Sequence, residues 1–331
     1  MTGLVLHRNY VSADIQLKRC LLNHRPGRLI IIVGVGGVGK TCLRWSVLRD
    51  IYGQPSAWGL GQLPVVEVMA LLAEKAYFNS KSLAEESLRQ VLAPDLNWLT
   101  RGSEHTYRDL EQSIAESRDL WLRIGTHTTE AATWNRFKTV ANSRGVKIYS
   151  LEHASALRVN HKDATPAHHI INLMSIMECI GSMGLLTTIQ NGVDLWSSRS
   201  EIRRRADVIW LAPYDVKNPE DLRCFIGLLK KLSEPYVFSP PGLIKEMAPE
   251  IAAATATVYA EIVNLFERAR DNSHLRGSKV IVKKDIHNAY YSTKELDTLW
   301  RDVDEFWDAR RSVGHKDMTA RADGLWPRAK K

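Results

Sequence analysis

Five consecutive apolar residues, Leu29-Ile30-Ile31-Ile32-Val33, run without a break into Gly34-Val35-Gly36-Gly37-Val38-Gly39-Lys40-Thr41. An apolar run of this kind reads as a strand buried on both faces, and the loop after it has the spacing GxxxxGK[ST]. Each residue type has a chemical reason to be there. Gly34, Gly36, Gly37 and Gly39 let the backbone wrap a phosphate, so that N–H groups there and at Val38, Lys40, Thr41 and Cys42 face it. Lys40 brings a positive charge to the β- and γ-phosphates, and Thr41 offers a hydroxyl to Mg²⁺. A helix-compatible segment begins near Cys42. Strand, loop and helix in this order predict binding of a nucleoside triphosphate, ATP with Mg²⁺, in an α/β fold.

With 331 residues, 44% of them hydrophobic and 25% charged, the chain can bury a large core. The formal net charge of +8 suits a polyanionic partner and equally a basic soluble protein. No apolar run is long enough to span a membrane, and the first residues lack the order of a signal peptide. Cys20, Cys42, Cys179 and Cys224 lie far apart, without zinc-ligand spacing or a disulfide framework, which predicts a reducing, cytoplasmic setting.

Periodicity predicts helices over 11–23, 41–51, 81–91, 129–142, 166–180 and 197–205. It predicts strands at 63–69, 145–151, 183–189 and 206–211 besides the first, and a loop over 101–108. Strands alternating with helices imply a parallel sheet covered on both faces. The expected organisation is an N-terminal helical segment (1–24), an α/β core (25–213), a mostly helical lid (214–305) with one short apolar run at 280–282, and a basic tail (306–331).

An acid is needed at the end of a neighbouring strand to hold Mg²⁺ and polarise the attacking water. Glu152 is the candidate, in either of two registers. If it takes the base position, Leu151 occupies the metal-ligand position; if it takes the metal position, His153 stands where the base belongs. Both registers leave the usual acidic pair incomplete, so hydrolysis is expected to be slow. Thr188 and Gln190 are polar at the end of an apolar strand, where a side chain can orient water or sense the γ-phosphate. Arg203, Arg204 and Arg205 end a helix directly before the fifth strand, as a solvated basic helix end or as guanidinium ligands for a transferred phosphoryl group.

The order of phosphate loop, strand-end Glu152, strand 184–190, Asp194-Leu195-Trp196 and helix 200–205 resembles the TnsC/TniB transposition ATPases of the AAA+ class. The resemblance continues through Val208-Ile209-Trp210, Pro213-Tyr214 and the segment 251–269, and covers roughly residues 25 to 300. It implies an AAA+ P-loop NTPase core with a five-stranded parallel sheet and a mostly helical C-terminal lid. It also implies a ring or filament homo-oligomer, closed by ATP around target duplex DNA, with one of Arg203, Arg204 and Arg205 reaching the neighbouring subunit's nucleotide. Such an assembly recruits a transposase to a site chosen by a target-selection adaptor, in some elements a CRISPR-associated one. DNA would be held through its phosphates, tolerant of sequence and sensitive to salt. Arg101, Arg136, Lys138, Arg144 and Lys147 are the candidate contacts, and Trp326 in the basic tail is a candidate anchor for the transposase. Here the metal-site aspartate and the family's Gly-Thr strand end are altered.

Two other classes share the phosphate loop. A STAND-type signalling NTPase usually carries long repeats, and this chain shows no repeat period. A replication helicase-loader or clamp-loader ATPase normally keeps the Asp-Glu pair missing here.

Overall fold

The computed structural model describes residues 7–70, 77–100, 128–159 and 165–313. Five strands form one parallel sheet in the order β2-β3-β4-β1-β5: β1 Leu29–Val33, β2 Val65–Met69, β3 Ile148–Glu152, β4 Met183–Thr188 and β5 Ala206–Trp210. Leu29 pairs with Gly184 on one side and Ala206 on the other, so β1 is an interior strand of the sheet, buried at every position. Helices cover both faces, which is why the strands read as nearly continuous apolar runs. Gly184 has a packing role: a Cβ there would come within 2.6 Å of Leu29 Cδ2. Glu67, Ser150, Thr187 and Thr188 are the polar residues within β2 to β4, apart from the strand-end Glu152.

The strand order has a consequence for chemistry. β4 lies between β1 and β3, so the Thr187-Thr188 tip stands between the phosphate loop and Glu152. All five strands point the same way, which gathers their C-terminal ends on one edge, where open α/β sheets bind ligands.

The helices follow the expected apolar periodicity with shifted ends. α1, Arg8–Leu22, turns Tyr10, Ala13, Leu17 and Leu21 inward, and packs on α2, Lys40–Tyr52, and on β5. Asn79 caps Ser80–Leu92 by accepting from the Lys81 and Ser82 N–H groups, and Thr129 caps Glu130–Ser143 through the Ala132 N–H. The expected helix 197–205 is two short helices, Asp194–Ser197 and Ser200–Arg205, separated by an extended Arg199.

Beyond Tyr214 a second core forms around Phe225, Leu228, Ile251, Ile262 and Phe266. The apolar run at 280–282 is a strand, β7 (Val280–Val282), paired in parallel with β6 (Val237–Ser239). The boundary expected at 305 is not where the structure divides. Helix Thr293–Val313 runs straight through it and returns to the first core, where Val303 and Phe306 are buried and the Phe306 ring meets Trp210 at 5.5 Å. The reason is the apolar stripe on that helix, which outweighs its charged composition in deciding where it packs. Residues 306–313 are thus part of the fold; 314–331, with Trp326, and the expected loop with Arg101 lie outside the described residues. Among the described residues no helix is long and apolar enough to cross a membrane, and the four cysteines are free thiols.

Candidate functional site

A cleft of about 390 Å³ opens where β1, β3 and β4 end. Its floor is the phosphate loop. Gly37 (φ 75°) and Gly39 (φ 103°) take the left-handed backbone that glycine adopts without strain. A Cβ at Gly36 or Gly39 would meet nothing within 4 Å, so the main chain there faces open space. α2 begins at Lys40, and the N–H groups of its first turn have no partners within the helix, as an anion site requires. Gly34 does not line the cleft. A Cβ on it would lie 2.7 Å from both Leu211 O and Val38 Cγ1, so its smallness serves close packing.

The Lys40 ammonium donates to the carbonyls of Gly34 and Val35, both at 2.8 Å. Burial lowers its pKa to about 8, with Glu152 opposing the shift. It therefore stays mostly cationic at neutral pH and holds two weak acceptors that a phosphate oxygen can replace.

Glu152 is the last residue of β3, and its carboxylate is held from two sides. Thr41 Oγ1 donates to Oε1 at 2.5 Å, and Arg44 Nη2 donates to Oε2 at 3.0 Å. Burial pushes the Glu152 carboxyl up, but Arg44, Thr41 and His153 outweigh it and leave the pKa below its ordinary value. His153 follows in a left-handed conformation (φ 56°, ψ 38°), exposed and on the cleft wall. Thr187 and Thr188 line the facing wall. Gln190 does not: β4 ends at Thr188, and the turn into the 3₁₀ helix Gln190–Val193 buries its side chain away from the cleft, leaving Oε1 without a partner.

At the other end of the cleft, aromatic side chains from three parts of the chain converge. His7 stacks on Tyr259 (5.9 Å, 16°) and lies 6.0 Å from Tyr10, while its Nδ1 is 3.2 Å from the Tyr214 hydroxyl. Burial lowers the His7 pKa to about 4, so the ring is neutral at physiological pH. An uncharged aromatic wall beside a phosphate loop suits a nucleobase. Tyr259 and Ala260 open the lid helix Tyr259–Leu275 and bring the lid onto the loop.

Arg203, Arg204 and Arg205 lie elsewhere. They precede Ala206, which pairs with Leu29 at the start of β1, whereas the phosphate loop follows Val33. The strand between separates them from the loop by about 13 Å along the sheet. Arg203 and Arg204 are exposed, and Arg205 pairs with Glu178 at 2.9 Å. Of the other basic candidates, Arg144 is committed to main-chain carbonyls, with Nε to Gly61 O at 3.0 Å and Nη1 to Val91 O at 2.6 Å. That half-buried guanidinium ties two segments together and is not presented to a phosphate backbone. Lys138 is half-buried, Arg136 is exposed, and Lys147 is exposed at the start of β3, on the edge opposite the cleft.

Sequence reasoning missed Arg44, Glu67 and the aromatic wall. The signal for Glu67 was its place as the sole charge in Val65-Val66-Glu67-Val68-Met69. Nothing local marked His7 or Tyr259, which meet only in three dimensions.

Two solved structures overlay on most of the chain. One is the Walker-type ATPase PABY2304 of Pyrococcus abyssi, with TM-score 0.51, 15% identity, and coverage of 91% of this chain and 75% of that one. Another is the Aeropyrum pernix ORC2 protein in ADPNP and ADP complexes, with TM-score 0.52, 14% identity, and coverage of 88% and 70%. The chain shares their fold, the α/β P-loop NTPase fold. No protein-family model and no curated protein matches it. At these identities the likeness is one of architecture.

Proposed function

We propose that the protein binds ATP with Mg²⁺ in this cleft and uses it to join copies of itself into a ring or filament on duplex DNA. There, as in the transposition ATPases it resembles, it recruits a transposase to a site chosen by a targeting adaptor. One observation carries the reading: the cleft is short of cations on its own chain. Among the described residues Lys40 is the one Lys or Arg lining it, while Arg203 and Arg204 stand exposed at the far end of the sheet. A triphosphate bound here is completed electrostatically by a neighbour's arginines, which makes assembly depend on nucleotide.

Thr41 and Glu152 are the residues that would hold Mg²⁺, since the Thr41–Glu152 hydrogen bond favours the register in which Glu152 takes the metal position. The bound ion would neutralise charge across the β- and γ-phosphate oxygens. Among the described residues no group of three or more His, Cys, Asp or Glu could hold a metal, which fits an ion bound through one carboxylate, phosphates and water. Thr188 faces the site of the γ-phosphate, and His153 stands next to Glu152 in place of a second acid, so turnover is slow.

Electron microscopy of the protein with duplex DNA, comparing ATP, ADP and no nucleotide, tests the assembly. Rings or spirals enclosing DNA with ATP are expected, and Lys40→Ala abolishes them. Protein that remains monomeric with saturating ATP and duplex overturns the reading.

A further inference from the structure

Arg44 lies one helical turn beyond Lys40 on α2, with its side chain only 1% exposed. A guanidinium this deep is costly to desolvate and persists only where specific partners meet it. Its partners come from three strands of the sheet. Nη2 lies 2.9 Å from Glu67 Oε1 on β2 and 3.0 Å from Glu152 Oε2 on β3, and Nη1 donates to Thr187 Oγ1 on β4 at 3.4 Å.

The two carboxylates are held differently. Glu67 is fixed by the core itself: Trp45 Nε1 donates to its oxygens at 3.0 and 2.7 Å, and Ser150 Oγ at 3.2 Å. Glu152 lines the cleft, where the Thr41 hydroxyl donates to it in front and Arg44 from behind. One cation therefore bridges an anchored carboxylate and one that must present itself to a ligand.

We infer that Arg44 is a positioning residue: pinned by Glu67, it fixes the rotamer of the Glu152 carboxylate so that Glu152 and Thr41 meet Mg²⁺ as a ready-made pair. The inference rests on the reading of the cleft as a Mg²⁺–triphosphate site. It assigns to β2, a strand outside the phosphate loop, a share in metal binding. The arrangement is the outer-shell support that orients a metal ligand, here supplied by a buried cation in place of a hydrogen-bonding carbonyl. It also explains why a charge interrupts the apolar β2.

The test measures a fluorescent ATP analogue binding to the full chain over a Mg²⁺ titration and in EDTA, with the melting temperature recorded for each variant. Arg44→Met alone leaves the buried Glu67 without its counter-charge, and is expected to melt early. The double variant Arg44→Met with Glu67→Gln removes both buried charges and restores the melting temperature. It is expected to bind nucleotide in EDTA like wild type, yet to require on the order of 10- to 100-fold more Mg²⁺ for the same enhancement. Arg44→Lys, which keeps the charge and loses the fork, falls between. A double variant with the wild-type Mg²⁺ midpoint shows that Arg44 merely balances Glu67 and overturns the proposal. If the double variant does not fold, an unchanged midpoint in Arg44→Lys overturns it equally. Wild-type protein that binds the nucleotide without any Mg²⁺ effect removes the metal reading itself, a result separable from either of these.

Discussion

The carbonyl of Gly37, in the middle of the phosphate loop, accepts a hydrogen bond from the Ala260 N–H at 3.0 Å. The contact joins the loop to the first turn of helix Tyr259–Leu275. Gly37 meets two constraints at once. Its φ of 75° costs an L side chain about 1–2 kcal/mol, and an added Cβ would come within 2.9 Å of the Ala260 Cβ. Gly37→Ala should lower both the melting temperature and nucleotide affinity. Adding Ala260→Gly should recover the part due to the clash but not the part due to φ. Calorimetric titration of the two variants checks this; wild-type affinity in Gly37→Ala would mean that the loop and lid are not coupled through this contact.

Arginines about 13 Å from their own phosphate loop can act on a nucleotide only across an interface. Arg203→Ala, Arg204→Ala and Arg205→Ala are therefore expected to leave the monomer's nucleotide affinity unchanged. At least one of them should weaken ATP-dependent oligomers in sedimentation runs. Arg205→Ala also releases Glu178, an exposed pair worth little to stability. Three variants that all sediment like wild type would rule out the interface role.

His7 makes stability depend on pH. Its folded pKa of about 4 lies below the ordinary 6.5, so the unfolded chain takes up the proton first as pH falls. The stabilisation is complete above about pH 6.5 and is lost as pH drops towards 4, amounting to roughly 3 kcal/mol at most. Melting temperatures measured across this window should fall more steeply for wild type than for His7→Phe. Parallel curves would show that the ring is not held neutral.

Phe306 tests whether the C-terminal helix belongs to the core. Truncating a fully buried phenylalanine costs about 3–5 kcal/mol, so Phe306→Ala should lower the urea midpoint clearly. Asp304→Ala on the exposed side of the same helix should change it little. A Phe306→Ala midpoint equal to wild type would return this helix to the status of a peripheral tail.

Most of the α/β architecture was readable because its signals are local. The apolar strands, the helix caps at Asn79 and Thr129, and the glycines of the loop each declare themselves within a few residues. The places where expectation and structure part share a cause. Helix Thr293–Val313 looked like lid passing into tail because its charges dominate composition, while two residues of its apolar stripe decide the docking. Gln190 looked like a strand-end sensor because a turn into a 3₁₀ helix leaves little trace in residue types. Arg144 looked available to DNA because a sequence does not show which carbonyls a guanidinium will cap.

By itself the amino-acid order determined that a buried strand feeds a phosphate loop and that Glu152 ends a later strand, because short-range sterics and burial dictate both. Tertiary structure alone decided what surrounds them. It placed β4 between the loop and Glu152, drove Arg44 between Glu67 and Glu152, stacked His7 on Tyr259, and sent the three arginines to the far edge of the sheet. Those relations join residues tens to hundreds of positions apart, and only the packing of one sheet and its lid brings such residues into contact.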